Sequence, residues 1–154
     1  MSRLWIMRHG EAGDTAPDSA RELTPHGKRQ VADMADRLAR RCETQALPVT
    51  RIVTSPYVRA RQTAAVMGQA LGVAVETLSG ITPEDSPRAF CDWLANQPGN
   101  LLVVSHMPLV GALAGLLVEG REDQGRAFPT AGIAELDADV WAAGCARQVT
   151  FSAP

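Results

Sequence analysis

The residues of this 154-residue chain best suited to chemistry on an anion are Arg8-His9-Gly10-Glu11, Arg21, Arg59 and Ser105-His106. A neutral imidazole is a competent nucleophile. Its unperturbed pKa of about 6.5 is lowered by neighbouring cations, so His9 should be free to attack at neutral pH. A glycine directly after it, Gly10, lets backbone or ligand come close. Each arginine offers a planar fork that grips two oxygens of a tetrahedral dianion. Arg8 and Arg59 are the first two such forks. Arg21 could swing over the same place from its polar loop, or form a surface ion pair, and the sequence supports both equally. Taken singly, a histidine at a strand end is an ordinary polar residue at the edge of a core. Only convergence would make these residues a site.

The elements around them predict that convergence. Leu4-Trp5-Ile6-Met7 is a continuous apolar run, as for a strand buried on both faces. Thr24-Pro25 reads as a helix cap and first helical residue, with Val31, Met34, Ala35, Leu38 and Cys42 at helical spacing behind it. Arg51 to Thr54 is a short strand, and Ser55-Pro56 reads as a second cap-plus-proline start. The helix it opens runs to Gly72. Val73 to Thr77 is a third strand, followed by a loop to Pro87 and a helix holding Phe90, Trp93 and Leu94. Leu101 to Val104 is the most apolar strand, leading to a helix from Pro108 to Val118. Gly132 to Leu136 and Ala146 to Phe151 alternate like an antiparallel pair.

Strand and helix alternate four times, which predicts an α/β class: three layers, αβα, around a mainly parallel sheet, as one domain over residues 1–154. Ligands of such sheets bind outside the carboxyl ends of the strands. Arg8-His9, Ser55 to Arg59 and Ser105-His106 all fall there. With 15 basic and 17 acidic residues the net charge is −2, which argues against a nucleic-acid binder with a broad basic surface. Cys42, Cys91 and Cys145 make no CxxC pair, zinc ladder or disulfide framework, so a reduced, cytoplasmic setting is expected. The four-residue apolar run near the N-terminus is too short for a signal peptide. Leu101 to Val118 approaches the length of a membrane span, but Ser105, His106 and Pro108 interrupt it, and a buried strand and helix are expected instead. His26 could join His9 and His106 around zinc, but the nearby arginines would repel a dication; neither metal nor cofactor is expected.

Arg8-His9-Gly10-Glu11 resembles the signature of the histidine phosphatase superfamily, the phosphoglycerate mutase-like group. Leu23-Thr24-Pro25-His26-Gly27 resembles its LTPxG helix start, Thr54 to Thr63 its SSPxxRAxQT segment, and Val103-Val104-Ser105-His106 its VSH segment. The short length, Ser105 to Gly111 and the context of Arg21 look most like the SixA-type subgroup. The resemblance implies that His9 is a nucleophile that becomes transiently phosphorylated. Arg8 and Arg59 would bind the phosphoryl oxygens, His106 would donate a further hydrogen bond, and Arg21 would assist. Phosphoryl transfer asks the protein mainly for positioning and charge stabilisation, which such groups supply. Larger members carry a glutamate after the third strand as proton donor; here the chain reads Leu78-Ser79-Gly80-Ile81, with Glu84 and Asp85 as substitutes or plain loop acids. A phosphoramidate leaves as an imidazole and needs less help from an acid. The expected activity is therefore a phosphatase acting on a phosphorylated histidine-containing protein, with phosphate, vanadate or tungstate as site ligands. The alternatives are a small-molecule phosphomonoesterase and a phosphate-binding interaction module. No lid insertion is expected, and hence an open groove.

Overall fold

The computed structural model describes all residues, 1–154. Its order is β1 (Ser2–Arg8), α1 (Pro25–Gln45), β2 (Arg51–Thr54), α2 (Val58–Leu71), β3 (Val75–Thr77), α3 (Pro87–Leu94), β4 (Leu101–Ser105), α4 (Leu109–Glu119), β5 (Ile133–Ala138) and β6 (Arg147–Ser152). The six strands form one sheet in the order β3-β2-β4-β1-β5-β6. The first four in that order are parallel, and β5 and β6 add an antiparallel edge beside β1.

Side chains alternate across a strand, so each central strand feeds two cores. Trp5, Met7, Leu102 and Val104 pack with α1 and α2 residues such as Val31, Met34, Ala64 and Met67. Leu4, Ile6, Leu101 and Val103 pack with Phe90 and Leu94 of α3 and with Leu113 and Leu117 of α4. The apolar stretch after Leu101 is thus a strand and a helix buried in the core, and no helix is long and apolar enough to cross a membrane.

Most predicted boundaries hold. Thr24 caps α1, its side-chain oxygen accepting from the Gly27 amide, with Pro25 at the first position. Gly72 ends α2 in the left-handed region at φ 70°. Strand β3 is shorter than expected, because Val73 closes the α2 terminus by donating to the Gly68 carbonyl. The start of α2 also differs. Ser55-Pro56 does not cap it; the helix begins at Val58, and the Ser55 hydroxyl faces elsewhere.

Register fixes where the strands deliver their last residues. Arg8 of β1 lies opposite Ser105 of β4, and Thr54 of β2 opposite Val104. The pairing continues one step beyond: the His9 amide donates to the Ser105 carbonyl and the Ser55 amide to the Val104 carbonyl, at 3.0 Å each. His9, His106 and Ser55 therefore emerge side by side at the carboxyl edge of the sheet.

Candidate active site

The loop leaving β1 is locked to α1 by two close backbone approaches. A Cβ on Gly10 would lie 2.7 Å from Val31 and 2.8 Å from the Gly27 carbonyl oxygen, and one on Gly27 only 2.0 Å from the Glu11 carbonyl oxygen. Both positions exclude any larger residue, which explains the glycine of each segment. Thr63, four residues after Arg59 on α2, donates its hydroxyl to the Arg59 carbonyl at 2.8 Å and accepts from the Gly10 amide at 3.1 Å. It ties the His9 loop to the Arg59 helix.

Against this frame His9 is held by both ring nitrogens. Nδ1 lies 2.7 Å from the Gly10 carbonyl oxygen, an acceptor only, so Nδ1 carries the hydrogen. Nε2 is then unprotonated, and Arg59 Nε donates to it at 3.2 Å. Burial, with the charges of Arg59, Arg8 and Arg21, lowers the His9 pKa to about 4, against the raising effect of Gly10. The imidazole is neutral at pH 7, and its Nε2 lone pair carries no proton and accepts from Arg59. His106 packs beside it with ring centroids 5.2 Å apart, and Tyr57 meets His106 edge-on. Burial first, then His9 and Arg59, lowers the His106 pKa to about 3.

Three arginines surround these rings. Arg8 donates Nη1 to the Phe128 carbonyl at 2.8 Å, while its buried Nε has no partner. Burial and the charges of Arg59 and Arg21 pull its pKa below the ordinary guanidinium value. Arg59, on the first turn of α2, donates Nη1 to the Asp18 carbonyl at 2.7 Å and Nη2 to the Asp18 carboxylate at 3.3 Å. Arg21 pairs with the same carboxylate at 3.0 Å and gives Nε to the Gly13 carbonyl. Of the two expectations for Arg21 the structure shows the ion pair: the guanidinium sits at the rim on Asp18 and Gly13. Asp18 was not anticipated; its only signal in the sequence is its spacing of three from Arg21. Hydrogen bonding from Arg21, helped by Arg59, holds its carboxyl below the usual range.

The other expectations fall outside this cluster. His26 pairs with Glu11 at 3.7 Å and does not meet His9 or His106. Asp85 accepts from the Thr82 amide and hydroxyl, a local turn that keeps it ionised, and Glu84 lines a surface hollow with Pro83, Pro108 and Glu122. No helical insertion stands over the strand ends, as expected, since the loop after β3 holds no helix before Pro87. The open groove is a different matter. His9, Arg59 and His106 are only 6%, 3% and 1% exposed. The single turn Asp18–Ala20 lies against Arg59 and narrows the entrance.

A family model described as histidine phosphatase superfamily (branch 1) matches residues 4–82. The chain belongs to the histidine phosphatase superfamily. It is similar to phosphohistidine phosphatase SixA of Escherichia coli (strain K12), 35% identical over 144 residues, covering 89% of this chain and 86% of that protein. A SixA homolog of Haemophilus influenzae is 37% identical over 120 residues, covering 71% and 73%. Among solved structures, the protein histidine phosphatase SixA complexed with tungstate superimposes with a TM-score of 0.85 at 31% identity, covering 99% of this chain and 97% of that one. The α/β architecture predicted from the sequence is thus the superfamily's. The matched segment contains Arg8, His9, Arg21 and Arg59, while His106 lies beyond it, directly after β4.

Proposed function

We propose that this histidine phosphatase hydrolyses phosphohistidine on a protein, using His9 as the nucleophile. The observation that carries the reading is the His9 imidazole: neutral, its hydrogen committed to Gly10, and its unprotonated Nε2 facing Arg59. Nε2 attacks phosphorus and forms a new N–P bond as the substrate's N–P bond breaks. The substrate imidazole leaves as a neutral ring if its other nitrogen already carries a hydrogen, so this step asks for no protein acid. Water then attacks the phosphoryl group on His9, releasing inorganic phosphate and restoring the free imidazole. Arg8 and Arg59 stabilise the charge on the three phosphoryl oxygens, His106 adds a hydrogen bond, and Arg21 supports from the rim.

The likeness to SixA proteins supports the substrate class, and so does Asp85, whose carboxylate is taken up by Thr82. We infer a cytoplasmic setting from the three unpaired cysteines. The test compares kcat/KM for a phosphorylated histidine domain and for a small phosphoester such as p-nitrophenyl phosphate, on one enzyme preparation. The protein substrate is expected to win, because contacts around the entrance add transition-state binding that a small ester does not make. A tenfold advantage for the small ester, about 1.4 kcal/mol, would replace this reading with a phosphomonoesterase.

A further inference from the structure

Ser55 was read from the sequence as a helix cap, and the structure gives it another task. Its side chain is wholly buried at the end of β2, and the hydroxyl oxygen lies 2.7 Å from Nε2 of His106. The same oxygen accepts from the Tyr57 amide at 3.2 Å. A serine hydroxyl has one hydrogen to give and two lone pairs. The Tyr57 amide takes one lone pair, and the only acceptor within reach of the hydroxyl hydrogen is His106 Nε2. At the far side of the ring His106 Nδ1 is buried and has no partner in the protein.

Two arrangements of hydrogens are open to this neutral ring. With the hydrogen on Nε2, the Ser55 oxygen would accept twice, its own hydrogen would be stranded in the core, and a bare Nδ1 lone pair would be stranded too. With the hydrogen on Nδ1, Ser55 donates to Nε2 and a single donor stays unmet. Buried polar groups without partners are costly, so the arrangement that strands one group instead of two is preferred. Burial lowers the His106 pKa to about 3, so the ring is neutral at pH 7 and carries a single hydrogen to be placed.

We propose that Ser55 is a positioning residue: it donates to His106 Nε2 and keeps the imidazole hydrogen on Nδ1, ready for an oxygen of a phosphoryl group bound between His9 and the arginines. The two histidines then receive a hydrogen on the same atom for opposite purposes. In His9 the hydrogen on Nδ1 is spent on Gly10 and frees Nε2 as nucleophile. In His106 it is left unspent as the donor. The part about the phosphoryl oxygen rests on the phosphatase reading above, whereas the position of the hydrogen in the resting protein does not.

The experiment is nitrogen NMR on protein labelled with 15N-histidine, at pH 7, without ligand and then with tungstate. The wild-type protein is expected to show His106 with a protonated Nδ1 and an acceptor-type Nε2, and Nδ1 is expected to shift on adding tungstate. Ser55→Ala should convert this to a mixture of tautomers and weaken tungstate about tenfold. Ser55→Thr, which keeps the hydroxyl, should retain the wild-type nitrogen pattern wherever its amide spectrum stays native. A wild-type His106 protonated at Nε2, or a Ser55→Ala protein with unchanged tautomer, overturns the proposal. The correct tautomer with no tungstate response and no turnover would instead overturn the phosphatase reading.

Discussion

The amino half of β1 and its carboxyl end each carry a buried polar cluster, and the two are built on opposite principles. Along the amino half, Glu135 of β5 is 2% exposed and accepts from Trp5 Nε1 at 3.0 Å, from Arg41 at 2.7 and 3.1 Å, and from Arg3. Burial alone would raise its pKa, but Arg41, Trp5 and Arg3 outweigh it and keep the carboxylate ionised. No buried side-chain polar atom of this cluster lacks a partner. At the carboxyl end, three arginines converge and the carboxylates that reach them, Asp18 and Asp14, lie exposed at the rim. Arg8 Nε and His106 Nδ1 are left without partners. A closed cluster holds the sheet to α1. The open one has donors to spare, and those spare donors are what a phosphoryl group would satisfy.

That contrast can be broken by substitution. The largest effect belongs to His9→Ala, which should abolish turnover while the protein stays folded, because the side chain lies past the strand end and outside both apolar cores; substantial phosphatase activity at pH 7 would contradict this. Next comes a pair of variants with opposite readouts. Arg59→Ala should weaken tungstate by about 1.5–3 kcal/mol, the worth of a charged hydrogen bond. Glu135→Ala should leave tungstate affinity unchanged and lower unfolding stability by about 1.5–3 kcal/mol, since it strands buried donors of Trp5 and Arg41. Calorimetry for binding and urea titration for stability separate the two. If both variants lose stability and affinity equally, the clusters are not distinct.

Acid should act through the open cluster. His9 and His106 titrate near 6.5 in an unfolded chain and at about 4 and about 3 in the fold. Their folded pKa values are lowered, so the unfolded state takes up protons first as pH falls. Above about 6.5 they contribute no pH dependence, and stability drops as pH passes from there towards 4. His9→Gln should flatten part of that drop in urea titrations at pH 7 and pH 5, and an unchanged slope would argue against a buried neutral His9. The smallest effect is expected at Asp18, an exposed carboxylate that competes for the arginines. Asp18→Asn should tighten tungstate by up to about fivefold, in keeping with the modest worth of exposed ion pairs. Weaker binding in that variant would show that Asp18 helps to hold the anion.

What could be read from the sequence was whatever depends on local pattern. The apolar runs of β1 and β4, the Thr24-Pro25 start and the Gly72 stop each follow from chemistry within a few residues, and the α/β order with its rule about strand ends drew His9, Arg59 and His106 together. The missing parts depend on register and on side-chain direction. Nothing in Ser55-Pro56 says that the hydroxyl turns to His106, because that pairing is set by β4 lying between β1 and β2. Asp18 reads as one more loop acid until the turn Asp18–Ala20 is laid on Arg59. Thr63 reads as a helix-face threonine until Gly10 arrives against it.

The central claim is that His9 Nε2 takes the phosphoryl group. The direct measurement is brief reaction of the protein with a phosphorylated histidine domain, a quench at alkaline pH, which preserves phosphoramidates, and mapping of the label by mass spectrometry and 31P NMR. The account predicts one phosphoryl group, on Nε2 of His9, absent from His9→Ala. A phosphoryl group on another residue, or steady turnover in His9→Ala, would contradict it.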